Sequence, residues 1–477
     1  MEQNSPAAAL AGGAAAAMAP PPPSVPPTTT LSESVAAMVA ARSSCILASD
    51  AAGRPVGILT EQDIARRVTF RLDGSAALEQ AMTAPLIACS ASDGLWRAIA
   101  LLRAHRLRHL PVLDADGRCV GLLHRAEALA AASGRMLLHL DALAGDEIAV
   151  KRAQASLAEA LLAEGLPATE VVVLVNGINL DLHRAILARI VAAQPTPPPV
   201  PFALLAMGSL GRGESLLAPD QDNGFVLQDY PDSDHDAVDA WFRPMAEQFC
   251  MALDRAGFTL CTGGVMAMNP LWRKTQAQWQ DQFVLWARRR SGAALLFADI
   301  AFDFRLASGD PAWGVAMRQA LTATLKAQPA LLAALAAQDS RLNVGLTFWG
   351  GFADDEPGPG TRTDLKLHGL MPLVAAARLA ALGTGIAETG TTARLRGLVG
   401  AGTLKTQEAA RLQAAFRTLL DVVLRQQLTD HAAGFRPGNL VETAALPDET
   451  RHGLRDALRA VRAFSKSTFA GFTGQLW

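Results

Sequence analysis

One short run, "GSLGRGESLLAPDQDN" at residues 208–223, contains residue types that could do chemistry. Asp220 and Asp222 are separated by one residue and precede the apolar run "GFVL". On an extended strand, residues i and i+2 point to the same face, so the two carboxylates would converge. Converging carboxylates repel unless a cation lies between them, and hard oxygen ligands favour Mg²⁺ or Mn²⁺. The spacing therefore predicts a metal site.

The same run begins with a glycine-rich turn. Gly208, Gly211 and Gly213 permit tight turns and close backbone approach, and Ser209 and Arg212 lie beside them. Backbone amides exposed in such a turn can bind phosphate oxygens. A phosphate site directly ahead of a metal site predicts that this segment binds a metal-associated nucleotide.

This order of motifs resembles the polymerase-β-like nucleotidyltransferase superfamily. The strings G-S-x-G-R-x-E and D-Q-D-N are similar to the branch near the catalytic domain of protein-PII uridylyltransferases and glutamine-synthetase adenylyltransferases, and most of all to nucleotidyltransferases that also carry CBS repeats. The resemblance implies a third metal-binding acid on a later strand. In "ADIAFDFRLASGD", Asp303 is the first candidate and Asp299 the second. Glu214 has either a direct role or a helix-stabilising one.

The resemblance also implies an activity. Asp220, Asp222 and Asp303 would hold Mg²⁺ or Mn²⁺, and a nucleoside monophosphate, uridylyl or adenylyl, would pass from an NTP to a hydroxyl group. In the related enzymes the acceptor is a tyrosine of a partner protein. Because this chain has one tyrosine, Tyr230, a PII-like partner or a small molecule must supply the hydroxyl unless Tyr230 modifies itself. The alternative is a catalytically silent, nucleotide-sensing regulatory protein.

The elements that must position these residues indicate an α+β multidomain chain. A mixed-sheet, polymerase-β-like core is expected at 195–308, after the helix-breaking "PTPPPVP". Helical periodicity predicts a linker at 132–194 and an all-helical, substrate-binding-like domain at 309–477.

Further polar residues of these segments remain candidates. Arg273 or Lys274 would meet phosphate. The cluster Asp364, Lys366 and His368 would either face the nucleotide or cap helices.

Residues 31–131 contain two copies of one βαββα-type pattern. They resemble a CBS domain pair, which implies binding of an adenosine nucleotide and a homodimer. In "GILTEQD", Thr60 and Asp63 match the family positions that contact phosphate and ribose, although a helix cap is an equal alternative. The second copy departs, with His124 and Glu127 at these positions.

Composition limits the other possibilities. The 477-residue chain has a formal net charge of −2, which argues against nucleic acid as the main partner. Its five cysteines are dispersed, which favours a reducing cytoplasm. No run resembles a membrane span, and the Ala/Pro-rich residues 1–30 are predicted to form a disordered tail.

Overall fold

The computed structural model describes residues 14–68, 72–93, 95–105, 107–124, 128, 147–163, 165–290, 292–355 and 362–474. The chain divides into two compact units. The first comprises residues 1–145 and 163–166, and the second comprises residues 146–162 and 167–477. Glu127 lies outside the described residues.

The first unit contains the repeat predicted from the sequence. Each copy has a short strand, a helix and two further strands: β1 Ser24–Val25, α1 Leu31–Ala40, β2 Cys45–Ser49 and β3 Pro55–Thr60, then β4 Cys89–Ser90, α2 Leu95–Ala104, β5 His109–Leu113 and β6 Cys119–His124. In both sheets the first pair of strands is parallel and the second is antiparallel. Each copy buries its own apolar cluster between helix and sheet.

The N-terminal segment corrects the prediction of a disordered tail over residues 14–30. Strand β1 pairs in parallel with Leu47 and Ala48, and Ala19 forms a backbone bridge to Leu122. Ala14 is buried in the apolar cluster of the second copy. The proline-rich composition concealed these backbone pairings, because edge strands tolerate proline. Residues 1–13 lie outside the described residues.

The second unit is built on a four-stranded mixed sheet in the order β10-β7-β8-β9. Its strands are β7 Phe202–Ala206, β8 Asn223–Leu227, β9 Arg273–Thr275 and β10 Arg305–Ser308. Strand β7 is antiparallel to β8 and β10, whereas β8 and β9 are parallel. The helices of this half are α3 Glu147–Ala163, α4 Ala168–Ala192, α5 Gly208–Arg212, α6 His235–Arg255, α7 Gln276–Arg289 and α8 Gly292–Ala301.

Helices α3 and α4 belong almost entirely to this unit, so residues 147–162 and 167–194 of the predicted linker are an integral part of the domain, whereas residues 132–146 lie outside the described residues. The Asn179 side chain donates to Ser215 Oγ at 2.9 Å, and Asn176 Oδ1 accepts from the Ser215 amide at 3.0 Å. Helix α4 has the length and hydropathy of a membrane span, but 61% of its most apolar window is buried within the protein. With buried Asn176, Asn179 and His183, it is a core helix.

The C-terminal half is mainly helical. Its helices are α9 Pro311–Ala327, α10 Ala330–Asp339, α11 Met371–Gly383, α12 Thr391–Gly400, α13 Thr406–Ala432 and α14 Asp448–Thr473. The prediction of an all-helical domain is wrong in one respect. Strands β11 Arg362–Asp364 and β12 Leu440–Glu442 form an antiparallel pair. This pair fixes the start of the segment that contains Lys366.

Candidate functional site

A cavity of about 530 Å³ lies between the β7–β8 end of the sheet and the C-terminal helices. A volume of this size is typical of small-molecule sites. Gly208, Ser209, Arg212, Asp220 and Asp222 line it from the sheet side. The sequence-predicted turn and acids therefore meet in one place.

Asp220 and Asp222 both face this cavity, as the spacing predicts. The Asp222 carbonyl accepts from the Met207 amide at 2.8 Å, immediately before β8 begins. The intervening Gln221 points inward, where its amide nitrogen donates to the carbonyls of Cys250 and Phe258, each at 2.9 Å. The alternation of an extended chain thus places both carboxylates on one side.

Asp222 lies in an environment that disfavours its negative charge. Burial raises its pKa to about 6, and the neighbouring charge of Asp220 acts in the same direction, whereas a hydrogen bond with Cys261 opposes them. Burial and the Asp222 charge raise the pKa of the Cys261 thiol to about 11. An added cation would relieve the repulsion between the two carboxylates.

Among the residues that the structure describes, Lys366 is the one cation that pairs with Asp220. Its Nζ donates to Asp220 Oδ2 at 2.9 Å, and both side chains remain partly exposed, at 35% and 49%. Asp364 instead caps the following turn by accepting from the Leu367 amide, and His368 pairs with Asp355. Of the three-residue cluster in the sequence, only Lys366 therefore faces the acids.

The glycines of the turn have steric roles. Gly208 has a φ of +56°, and a Cβ on it would lie 2.2 Å from Asp222 Oδ2. A Cβ on Gly211 would lie 1.9 Å from the Asp303 carbonyl oxygen. The Gly211 contact cannot be relieved without movement of the backbone, whereas the Gly208 contact requires the Asp222 carboxylate to shift, in addition to the strain of a positive φ. The Ser209 hydroxyl forms no hydrogen bond within the described part of the chain and faces the cavity.

Asp303 does not line the cavity with the other two predicted acids. It is fully buried, and three guanidinium groups surround it, a set that we call the arginine cage. Oδ2 accepts from Arg212 and Arg378 at 2.8 Å each, and Oδ1 accepts from Arg394 at 2.5 Å. These charges hold the pKa of Asp303 well below its usual range despite burial.

The arginine cage joins the sheet domain to the C-terminal helices, because Arg378 and Arg394 lie on α11 and α12. Glu214 adds to this junction, since its carboxylate accepts from the Thr391 amide and from Arg212 Nε. Asp299, the second candidate for the third acid, lines the cavity but is paired with Arg378. Both candidates for the third acid are thus paired with arginines, and Asp299 is the one of the two that lines the cavity with Asp220 and Asp222.

The donor set fits a metal ion held in part by substrate. Within the described ranges, no group of three or more His, Cys, Asp or Glu side chains is arranged for a metal ion. Mg²⁺ is commonly bound by one or two carboxylates together with substrate phosphates and water. Asp220 and Asp222 fit that mode, whereas Asp303 does not.

In the first unit, Thr60 and Asp63 line a cavity of about 160 Å³ between the two copies, together with Ser44 and His109. They also form a capping box: Thr60 Oγ1 donates to Asp63 Oδ2 at 2.7 Å and accepts from the Asp63 amide at 3.2 Å. Ser44 Oγ lies 2.7 Å from His109 Nε2. Thr60 and Asp63 thus form the helix cap and also line the cavity.

Sequence reasoning missed or misplaced several residues. Cys261 was missed because no local motif marks a lone cysteine, although the glycine pair Gly263 and Gly264, which follows it closely, was a signal. Arg394 was missed because its partner is 91 residues away. Arg273 and Lys274 do not line the cavity with the acids but lie in a different one.

Comparisons with known proteins give three family matches. The family described as "Putative nucleotidyltransferase DUF294" matches residues 152–293. The family described as "Putative nucleotidyltransferase substrate binding domain" matches residues 329–471. The CBS domain family matches residues 14–69 and 78–134. A search of curated proteins finds no match.

Among solved structures, similarity extends over about a quarter of the chain. An uncharacterised conserved protein from Pyrococcus horikoshii is 24% identical, with coverage of 26% of this chain and 92% of that one and a TM-score of 0.24. A CBS domain protein from Pyrobaculum aerophilum, complexed with AMP, is 26% identical, with coverage of 24% and 88% and a TM-score of 0.23.

Proposed function

We propose that this chain, which carries a nucleotidyltransferase domain, its substrate-binding domain and two CBS domains, transfers a nucleoside monophosphate from an NTP to a hydroxyl group. The observation that carries the proposal is the pair Asp220 and Asp222 in a nucleotide-sized cavity. The raised pKa of Asp222 supports it, because a site without a cation leaves that carboxylate unfavourably charged.

Asp220 and Asp222 would hold Mg²⁺ or Mn²⁺, and such an ion supplies charge neutralisation at the triphosphate when it is bound. The protein's own part is to orient the phosphates. Ser209 offers a free hydroxyl, and Lys366 offers an ammonium group that can leave Asp220 for a phosphate oxygen. Since an exposed ion pair contributes only about 0–1 kcal/mol, that exchange costs little.

The transfer step balances as an in-line displacement. The acceptor oxygen forms a bond to the α-phosphorus, the bond from the α-phosphorus to the bridging oxygen breaks, and pyrophosphate leaves. The hydroxyl proton passes to a carboxylate oxygen of Asp220 or Asp222. We propose uridylyl or adenylyl transfer to a PII-like protein or a small molecule, following the resemblance in the sequence.

Tyr230 is a poor acceptor within its own chain. It follows the carboxyl end of β8, whereas Asp222 precedes the amino end of that strand. Five strand residues span roughly 17 Å, so the hydroxyl must come from elsewhere. We also propose that an adenosine nucleotide bound at Thr60 and Asp63 regulates the reaction, in a homodimer formed through the CBS domains.

One observation favours the alternative of a silent nucleotide sensor. The predicted third acid is held by the arginine cage and does not line the cavity. A protein of this kind would bind a metal-associated NTP through Asp220 and Asp222 without transferring it.

Labelling separates the two functions. The purified chain is incubated with each of four α-labelled NTPs, Mg²⁺ and host lysate. Label on an acceptor that disappears in Asp222→Asn, but not in the surface control Asp456→Asn, supports the transferase. Saturable NTP binding without label transfer or pyrophosphate release in any mixture would contradict it.

A further inference from the structure

The second unit has another cavity, of about 690 Å³, at the opposite end of β8 from Asp222. We call it the rear cavity. It lies where β8 ends at Leu227 and is bounded by α6 and α7, with Leu227, Val238 and Phe242 as an apolar wall. Its volume falls within the range of small-molecule sites. Neither Asp220 nor Asp222 lines it.

Two polar side chains in the rear cavity lack partners. Lys274, on β9, forms no hydrogen bond or ion pair within the described residues, and burial lowers its pKa. Gln282, on α7, is only 9% exposed and likewise forms no side-chain hydrogen bond in that part of the chain. Polar groups as buried as Gln282 are nearly always hydrogen-bonded, so its unpaired amide, beside the half-buried and unpaired Lys274, indicates a ligand.

The other polar groups show which charge is in excess. Arg273 is fully committed, because it donates to Asp239 at 2.8 Å and to the carbonyls of Ala267 and Met268. That pairing neutralises Asp239. Tyr230 lies at the rim, where its hydroxyl is 3.2 Å from His235 Nδ1 and the two rings stack. Asp281 and Arg288 also line the cavity and carry opposite charges, so the ammonium group of Lys274 gives the lining one net positive charge.

We propose that the rear cavity binds a small organic anion, a carboxylate or a phosphate monoester that carries an apolar or aromatic body. The anionic head would pair with Lys274, and Gln282 would donate its amide N–H to the same head. The body would contact Val238 and Phe242, with the Tyr230 ring beside it. This site is independent of the transferase reaction, because it shares no residue with the cavity of the acids.

Five probes test the chemistry by calorimetry and thermal shift on the full-length chain: benzoate, phenyl phosphate, acetate, inorganic phosphate and neutral benzamide. We expect saturable binding of benzoate or phenyl phosphate, and whichever binds more tightly identifies the head group. Acetate and phosphate should bind more weakly because they lack the body. Equal binding of benzamide and benzoate, or no binding of either aromatic anion up to about 10 mM, a free energy near −3 kcal/mol, would overturn the proposal.

Variants locate the site. Lys274→Met should weaken the best anion by about 10- to 100-fold, as expected for a hydrogen bond to a charged group. Lys274→Arg should retain most binding, and Gln282→Leu should weaken it several-fold. The matched control Lys466→Met, on an exposed stretch of α14, should bind as the wild type does. If Lys274→Met does not fold, Lys274→Gln replaces it.

Phenyl phosphate could instead enter the cavity that holds Asp220. Binding that survives in Lys274→Met but is lost in Lys366→Met would place it there and refute the rear cavity as its site. Binding lost in Lys274→Met and kept in Lys366→Met supports the proposal.

Discussion

Replacing Asp303 and Asp222 in turn should give opposite effects on stability. Asp303→Asn removes a buried negative charge and leaves three buried guanidinium groups without their counter-ion. Breaking a buried ion pair from one side costs roughly 3–5 kcal/mol. With an unfolding entropy of about 2.1 cal/mol/K per residue, a unit of about 330 residues loses about 1.5 °C in Tm for each kcal/mol, so we expect a decrease of roughly 4–7 °C.

Asp222→Asn should stabilise the same unit. The pKa of Asp222 is raised to about 6, so above that pH the folded protein holds the charge in an unfavourable environment, whereas the unfolded chain holds it in water. A neutral amide removes this cost, which we take as about 1–3 kcal/mol after allowance for partial exposure. The gain should be present at pH 8 and fade as the pH falls through 6 toward 4, where Asp222 becomes protonated.

Differential scanning calorimetry measures both effects, and titration with Mn²⁺ measures metal binding. Asp421→Asn is a suitable control, because it removes only an exposed pair with Arg425 on α13; its effect should stay below about 1 kcal/mol. Asp303→Asn should keep Mn²⁺ binding if it folds, whereas Asp222→Asn should lose it. Should Asp303→Asn melt as the wild type does and lose Mn²⁺, Asp303 is a metal ligand and the arginine cage is not its role.

Lys366→Met should tighten Mn²⁺ binding up to about fivefold, measured by calorimetry, because the ion no longer displaces an exposed ion pair worth about 0–1 kcal/mol; weaker binding would refute the exchange. Gly208→Ala should abolish Mn²⁺ binding, since its Cβ would overlap Asp222. Burial lowers the pKa of Lys151 to about 7, while the unfolded chain keeps that proton to its ordinary pKa near 10.4. Stability should therefore rise between pH 7 and 10 by up to about 1.4 kcal/mol per unit, and Lys151→Met should remove that slope in chemical denaturation. AMP should raise the Tm of the first unit, and Asp63→Ala should remove the shift. Glu33→Ala, which breaks a like capping box on α1, should leave that shift intact.

The part of the site predicted from the sequence is the part set by local geometry. Asp220 and Asp222 share a side because an extended chain alternates, and buried Gln221 between them is the sign of that alternation. The repeat of the first unit could also be predicted from the sequence, because the same apolar positions and turns occur in both copies. Close spacing along the chain was sufficient evidence for both.

Asp303 shows where such reasoning fails. Its apolar neighbours Phe302 and Phe304 correctly indicate burial, but a buried carboxylate can be held by a metal or by arginines. The deciding residues Arg378 and Arg394 lie 75 and 91 positions away on the C-terminal helices. Nothing local to Asp303 indicates them. The prediction for residues 14–30 failed for a related reason. Their partners are backbone groups of strands, and the composition does not indicate which strands these are.

The arginine cage bears on the choice between transferase and sensor. Two carboxylates and substrate phosphates are enough to hold one Mg²⁺, so sequestration of Asp303 does not by itself prevent the binding of a metal-associated NTP. It does tie the shape of the cavity to the docking of α11 and α12, because two of the three arginines that pair with Asp303, Arg378 and Arg394, lie on these helices. If transfer occurs, a variant that loosens the junction without touching the acids, such as Glu214→Gln, should lower kcat more than it weakens NTP binding. A silent sensor would show only the change in binding.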